Sequence, residues 1–148
     1  MKKLLSALLA VIGCGVSTCL AGGATLDLTA FRHKVLMMVV GNVDGTLADF
    51  PLLVRIDESH VRGWAGNASP DGSDLRFADE HGTLLAHEID AWTTDESGAV
   101  SGIVWVKVPE LKTGTVFQMC WGAEPADLPA VDSTDVWTEY LGVWHFGE

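Results

Sequence analysis

"FPLLVRID", Phe50 to Asp57, sets Phe50, Leu52, Val54 and Ile56 on one side of an extended chain and Pro51, Leu53, Arg55 and Asp57 on the other. Successive side chains of a strand point to opposite faces, so this period of two marks a strand with one buried face. Downstream, "DLRFAD" (74–79) repeats the pattern through Leu75 and Phe77. "LLAHEIDAW" (84–92), "SGIVWVKVP" (101–109) and "TVFQMCWG" (115–122) follow, rich in β-branched and aromatic residues and bounded by Gly, Pro, Asp or Ser. Upstream, "RHKVLMMVVG" (32–41) is a continuous apolar run suited to a central strand. Six short strands separated by turn signals predict an all-β domain, a β-sandwich or jelly roll. No stretch of helical period is long enough for a main-domain helix; "ESHVRGWAG" (58–66) and "DVWTEYLG" (135–142) are each fit for a turn or two.

Ahead of this region stand Lys2 and Lys3, the apolar run Leu4 to Ile12, and small residues to Ala24. This order reads as a signal peptide over residues 1–24 and implies export to the cell envelope, the outer surface or the medium. The run is too short to span a bilayer, and no other stretch offers a membrane span. Cleavage after Ala21 or Ala24 is the preferred reading, while "VIGC" (11–14) also fits a lipoprotein box that would make Cys14 the lipidated first residue. With the leader gone, about 125 residues remain, one domain's worth. Cys120 is then the last thiol, so an internal disulfide is not expected. The formal charge of the whole chain is −11, or −13 once the two leader lysines are set aside, which argues against nucleic acid or anionic lipid as partners.

"SPDGSDLRFADEHG" (69–82) gathers Asp71, Asp74, Asp79 and Glu80 around Leu75 and Phe77. Pro70-Asp71-Gly72 is turn chemistry, and "DEHG" closes the same strand into a hairpin with "TLLAHEID". The preferred reading is turn plus solvated face, with Arg76 at the surface as an ion-pair partner. The alternative is a calcium site, because Asp71, Asp74 and Asp79 supply hard oxygen ligands, although their spacing is not that of an EF-hand loop.

"HEIDAW" (87–92) raises a catalytic reading. Glu88 and Asp90 on one strand share a face about 7 Å apart, as in a jelly-roll glycosidase family that places a third carboxylate two or three residues later. Positions 92 to 94 are Trp92, Thr93 and Thr94, so the acid/base that retaining hydrolysis needs is missing. His87 points to the opposite face with Leu85 and Ile89, as a partly buried, hydrogen-bonded histidine rather than a ligand. Trp92, Trp105 and Trp121 sit on strands where alternation places some of them in the core. Trp64 lies in a Gly-rich loop, and an exposed Trp near carboxylates and amides is how proteins stack on sugar rings. Trp64 and Asn67, with Asp71, Asp74 and Asp79, therefore form the candidate ligand surface.

The blocks "LADFPLLVRI", "SPDGSDLRFADEHGTLLAHEIDAW", "VWVKVPEL", "FQMCWGAEPA" and "GVWHFGE" occur in an order that resembles the DUF2341 domain, a module of exported bacterial proteins. Ala123, where the family tends to carry Asn, and Cys120, in place of an aromatic or larger residue, depart from the pattern. The resemblance implies that "GVWH" leads into a concanavalin A-like, laminin-G-type jelly roll in the same polypeptide; some relatives are joined instead to a proton-channel subunit of the biopolymer-transport type. Tyr140, Leu141, Val143, Trp144 and Phe146 crowd the last nine residues, which matches residues 136–148 leading into a further domain.

These readings converge on residues 25–148 as a non-catalytic β-sandwich module acting in adhesion or in binding a glycan or another cell-surface component. No cofactor is called for beyond the calcium alternative. Two other classes stay open: a glycosidase-related domain using Glu88 and Asp90, and an accessory domain of an envelope proton-channel complex.

Overall fold

The computed structural model describes residues 23–61, 64 and 68–144. Residues 1–22, which hold Cys14 and most of the leader, the loop residue Asn67 and the last four residues lie outside the described residues. Seven strands are formed among them: β1 (His33–Met38), β2 (Leu47–Ile56), β3 (Arg76–Asp79), β4 (Leu84–Leu85), β5 (His87–Thr94), β6 (Val100–Leu111) and β7 (Val116–Trp121). They make two sheets, one in the order β1-β7-β3-β4 and the other β2-β6-β5, with every pairing antiparallel. The fold is an all-β sandwich. No helix among the described residues is long and apolar enough to cross a membrane.

The strand that opened the sequence decides the second sheet. Val54 and Ile56 of β2 are buried with Val104 and Val106 of β6, and they meet Phe77, Phe117, Met119 and Trp121 from the first sheet. Side chains of alternate residues from both sheets thus fill one core, the arrangement that a period of two predicts.

Three features depart from the strand pattern of the sequence. The run Leu84–Trp92 is not one strand. It breaks at Ala86, whose carbonyl accepts the Lys107 amide at 2.9 Å; β4 before it pairs with β3, and β5 after it pairs with β6, so the chain changes sheets there. Next, β1 is an edge strand and not a central one. Its continuous apolar run leaves Leu36 and Met38 on the outer face, largely exposed. Finally, Arg76 is buried and does not stand at the surface. The outer face of β3 and β7, which alternation would leave wet, is roofed by a second cluster of Leu26, Phe31, Ala78 and Cys120, packed with Leu28 and Leu128 from the flanking segments. The N-terminal segment is tied on by Leu26 N–H to the Gly82 carbonyl and Leu84 N–H to the Ala24 carbonyl, both 2.8 Å.

Candidate ligand-binding site

The structure takes apart the surface predicted around Trp64. Trp64 is 1 % exposed, and its indole Nε1 donates to the Val100 carbonyl at 2.9 Å. Its ring meets Trp92 edge-on at 6.0 Å and Trp121 at 4.9 Å, and Trp121 in turn stacks on His33 at 5.2 Å. Trp64 therefore offers no face to a sugar. The loop glycines suggested exposure, but the aromatic payload wins by closing this side of the core.

Three of the four carboxylates of residues 69–82 are likewise spent on backbone; the fourth, Glu80, is exposed and approaches His81 Nε2 at 3.6 Å. Asp74 is 2 % exposed, and its two oxygens accept the Ser69 amide at 2.9 Å and the Gly122 amide at 2.8 Å. Asp71 accepts the Ser73 amide at 3.0 Å, a bond that with the Ser73 hydroxyl holds its carboxyl below the usual range. Asp79 accepts the amides of His81 and Thr83, both at 2.8 Å, inside the β3–β4 hairpin. Each of these three acids shapes its own turn, and among the described residues no group of three His, Cys, Asp or Glu side chains stands together as a metal site. Asp74, placed in the candidate surface by sequence, is thus an interior clasp between the 69–74 loop and the end of β7.

Chemistry does concentrate at the start of β5. A cleft of about 330 Å³ is lined by Gly72, Ser73, Arg76, His87, Glu88 and Val131 among others. On one wall the Arg76 guanidinium donates to three carbonyls: Pro129 at 3.0 Å through Nε, and Ser73 at 3.0 Å and Leu75 at 2.6 Å through Nη1. Burial pulls its pKa down from the usual arginine value, and the charge of Asp74 opposes that pull. His87, 6 % exposed, contacts Phe77 edge-on at 5.2 Å. Burial holds its pKa down to about 4, so it is neutral at neutral pH, as the sequence led us to expect for a buried histidine.

Glu88 faces the other way, onto the outer surface of the second sheet, where the row Glu88–Trp105–Leu53 crosses β5, β6 and β2. Over this row lies the 3₁₀ turn Ser133–Trp137, capped by Asp132 accepting the Thr134 amide at 2.9 Å and anchored by buried Val136. The turn delivers Trp137, whose Nε1 donates to the Glu88 carboxylate. Trp105 meets Trp137 edge-on at 5.3 Å, and Trp137 meets Tyr140 at 5.7 Å, giving a row of three rings that ends at Tyr140, 47 % exposed. Lys107 Nζ donates to Thr138 Oγ1 at 2.7 Å and fixes the far side. Sequence reading missed this surface because Trp137 and Tyr140 fell in a segment assigned to a domain boundary; the i, i+3 spacing of two rings was the available signal.

Two other clusters have plainer geometry. Asp90 falls at an irregularity in the β5–β6 ladder between Ile89 and Ala91, which breaks the regular Glu88/Asp90 alternation. At the end of β2, Asp57 and Ser59 Oγ both approach the same Nδ1 of His60, at 2.7 and 3.0 Å, so the imidazole does not stand between acid and hydroxyl as a relay requires.

Residues 71–140 match the family model described as a domain of unknown function, DUF2341. That match supports the resemblance of this stretch to the DUF2341 family. No curated protein and no solved structure matches the chain. The DUF2341 segment supplies β3 to β7, while β1 and β2 flank it as one edge strand for each sheet. Arg76, His87, Glu88, Trp105, Trp137 and Tyr140 all lie inside the DUF2341 segment; Trp64 and Asn67 lie outside it.

Proposed function

We propose that this chain is a non-catalytic binding module of an exported protein at the bacterial cell envelope or surface, and that it recognises a glycan through the Glu88–Trp137–Tyr140 face. The observation that carries the reading is the Glu88 carboxylate bonded to the middle ring of a row of three, with the Arg76 cleft beside it. Rings offer apolar faces to sugar C–H groups, and a fixed carboxylate accepts from hydroxyls, the combination of apolar walls and few placed polar groups that small-ligand sites use. Export is supported by the leader pattern, and a single buried thiol suits a domain held together by its core alone. Affinity electrophoresis of the purified chain through β-glucans, agaroses and carrageenans tests the proposal. Retardation by at least one of them without release of reducing ends is expected; release of reducing ends that stops in Glu88→Gln would make the domain an enzyme and overturn it.

A further inference from the structure

The four sheet edges of the sandwich are not treated alike. On β2, Pro51 removes a donor and Asp49 sits at φ 48°, a left-handed conformation that breaks the line of the strand. The β5 edge carries the irregularity at Asp90. β4 has only two residues, and the N-terminal segment bridges beside it through Thr25 and Thr83. These are the devices by which natural sheets stop their edges from pairing. β1 has none of these, and its one charged residue, Lys34, stands at its start with its ammonium turned back to the Leu28 carbonyl at 2.8 Å. The strand is six residues long, free of proline, regular along its ladder with β7, and no described residue pairs with its outer edge. Leu36, Met38 and Val40 beside that edge are 68 %, 58 % and 80 % exposed.

We propose that β1 pairs antiparallel with β1 of a second copy of this chain about a two-fold axis at Met37, joining the two four-stranded sheets into one. The strand is its own complement. The apolar run Val35–Val39 is symmetric about Met37, so the register that pairs Met37 with its symmetry mate sets Val35 against Val39 on the inner face and Leu36 against Met38 on the outer face. Charge selects the same arrangement. The stretch between Asp27 and Asp44 has no carboxylate in a chain of net charge −11, Arg32 and Lys34 stand at the start of the strand, and Asp44 follows its end. Antiparallel pairing brings the basic start of each strand alongside the Asp44 end of the other, at the one edge where two acidic domains meet without opposing acids. Beside β1 a cleft of about 440 Å³ opens between the sheets, with Met37, Leu52, Val54 and Phe117 in its wall and Arg55 and His60 as its charged or titratable groups. Inner-face side chains of the second copy enter it without meeting a carboxylate.

Sedimentation velocity on the purified chain, across a concentration series and at low and high salt, reads the association. A dimer that strengthens with salt is expected, because screening relieves repulsion between the two acidic bodies. Leu36→Lys with Met38→Lys, both at exposed positions, should give a monomer that still unfolds cooperatively, at a melting temperature no longer dependent on concentration, and Met37→Cys should form an intermolecular disulfide under mild oxidation while Lys34→Cys does not. A chain that stays monomeric at every concentration and fails to cross-link through Met37→Cys overturns the proposal. So does a dimer that persists in the double-lysine variant, since its interface lies elsewhere.

Discussion

The ring of Trp92 lies across the α-carbon of Gly102, its partner on the neighbouring strand, so closely that a Cβ at Gly102 would stand 2.5 Å from Trp92 Cε3. Trp92 also meets Gly72, where a Cβ would stand 3.2 Å from the indole and 2.8 Å from Ile89 Cδ1. The Pro70–Gly72 turn is thus packed onto the second sheet through a tryptophan that needs glycine at both positions. Gly102→Ala should cost about 1–3 kcal/mol, the range for overfilling a packed interior. Equilibrium denaturation in urea measures it, and a variant as stable as the parent would show that Trp92 is free to move aside.

Asp74 ties Ser69 to Gly122, which lies 48 residues further along the chain than Asp74 itself. Asp74→Ala leaves two amides without their acceptor, each costing about 1–3 kcal/mol when buried. A fall of that order in unfolding free energy is expected, with calcium leaving the melting temperatures of parent and variant unmoved. Calcium-selective stabilisation lost in Asp74→Ala would restore the metal reading of the acidic stretch.

His87 ties stability to pH. Its folded pKa, near 4, lies below the ordinary value of 6.5, so between these limits the unfolded chain binds more protons than the folded one. This contribution to stability is therefore complete above about pH 6.5 and falls as pH drops toward 4, by about 3 kcal/mol in all. His87→Leu should flatten the slope of unfolding free energy in that window, whatever it does to the stability at pH 7. An unchanged slope would mean that His87 reaches solvent.

Cys120 is fully buried, and burial raises its thiol pKa to about 11. Both effects suppress the thiolate. In the chain expressed from Thr25, which leaves out Cys14 and Cys19, Cys120 should react with a thiol-specific disulfide reagent only as fast as the native fold opens, and at once in denaturant; rapid native labelling would contradict the roof formed by Leu26 and Phe31.

Much of the fold was legible. Val54, Ile56, Phe77, Val104 and Val106 face the core where alternation placed them, and "DEHG" turns β3 into β4 as its residues require. What alternation cannot report is which faces are covered by chain from elsewhere. Arg76 looked solvent-facing beside Leu75 and Phe77, but its outer face is roofed by segments before β1 and after β7. β1 looked central because both of its faces are apolar, yet it is an edge. The site was harder to read. Trp64 and the acids around it form the most conspicuous polar and aromatic stretch, and the structure uses them to close a core and cap turns. Glu88 meets Trp137 across 49 residues of sequence, a pairing no local pattern encodes.

The most direct test compares two single variants on the polysaccharide that retards the parent chain most. Tyr140→Ala removes the exposed ring at the end of the Trp105–Trp137–Tyr140 row, and Asp71→Asn neutralises an exposed acid of the 69–82 stretch. Stacking of a nucleobase on one ring is worth about 1–3 kcal/mol; with the lower end of that range taken for a sugar, Tyr140→Ala should weaken retardation about fivefold while Asp71→Asn matches the parent. Binding that survives in Tyr140→Ala and disappears in Asp71→Asn would contradict the assignment and return recognition to the acidic loop.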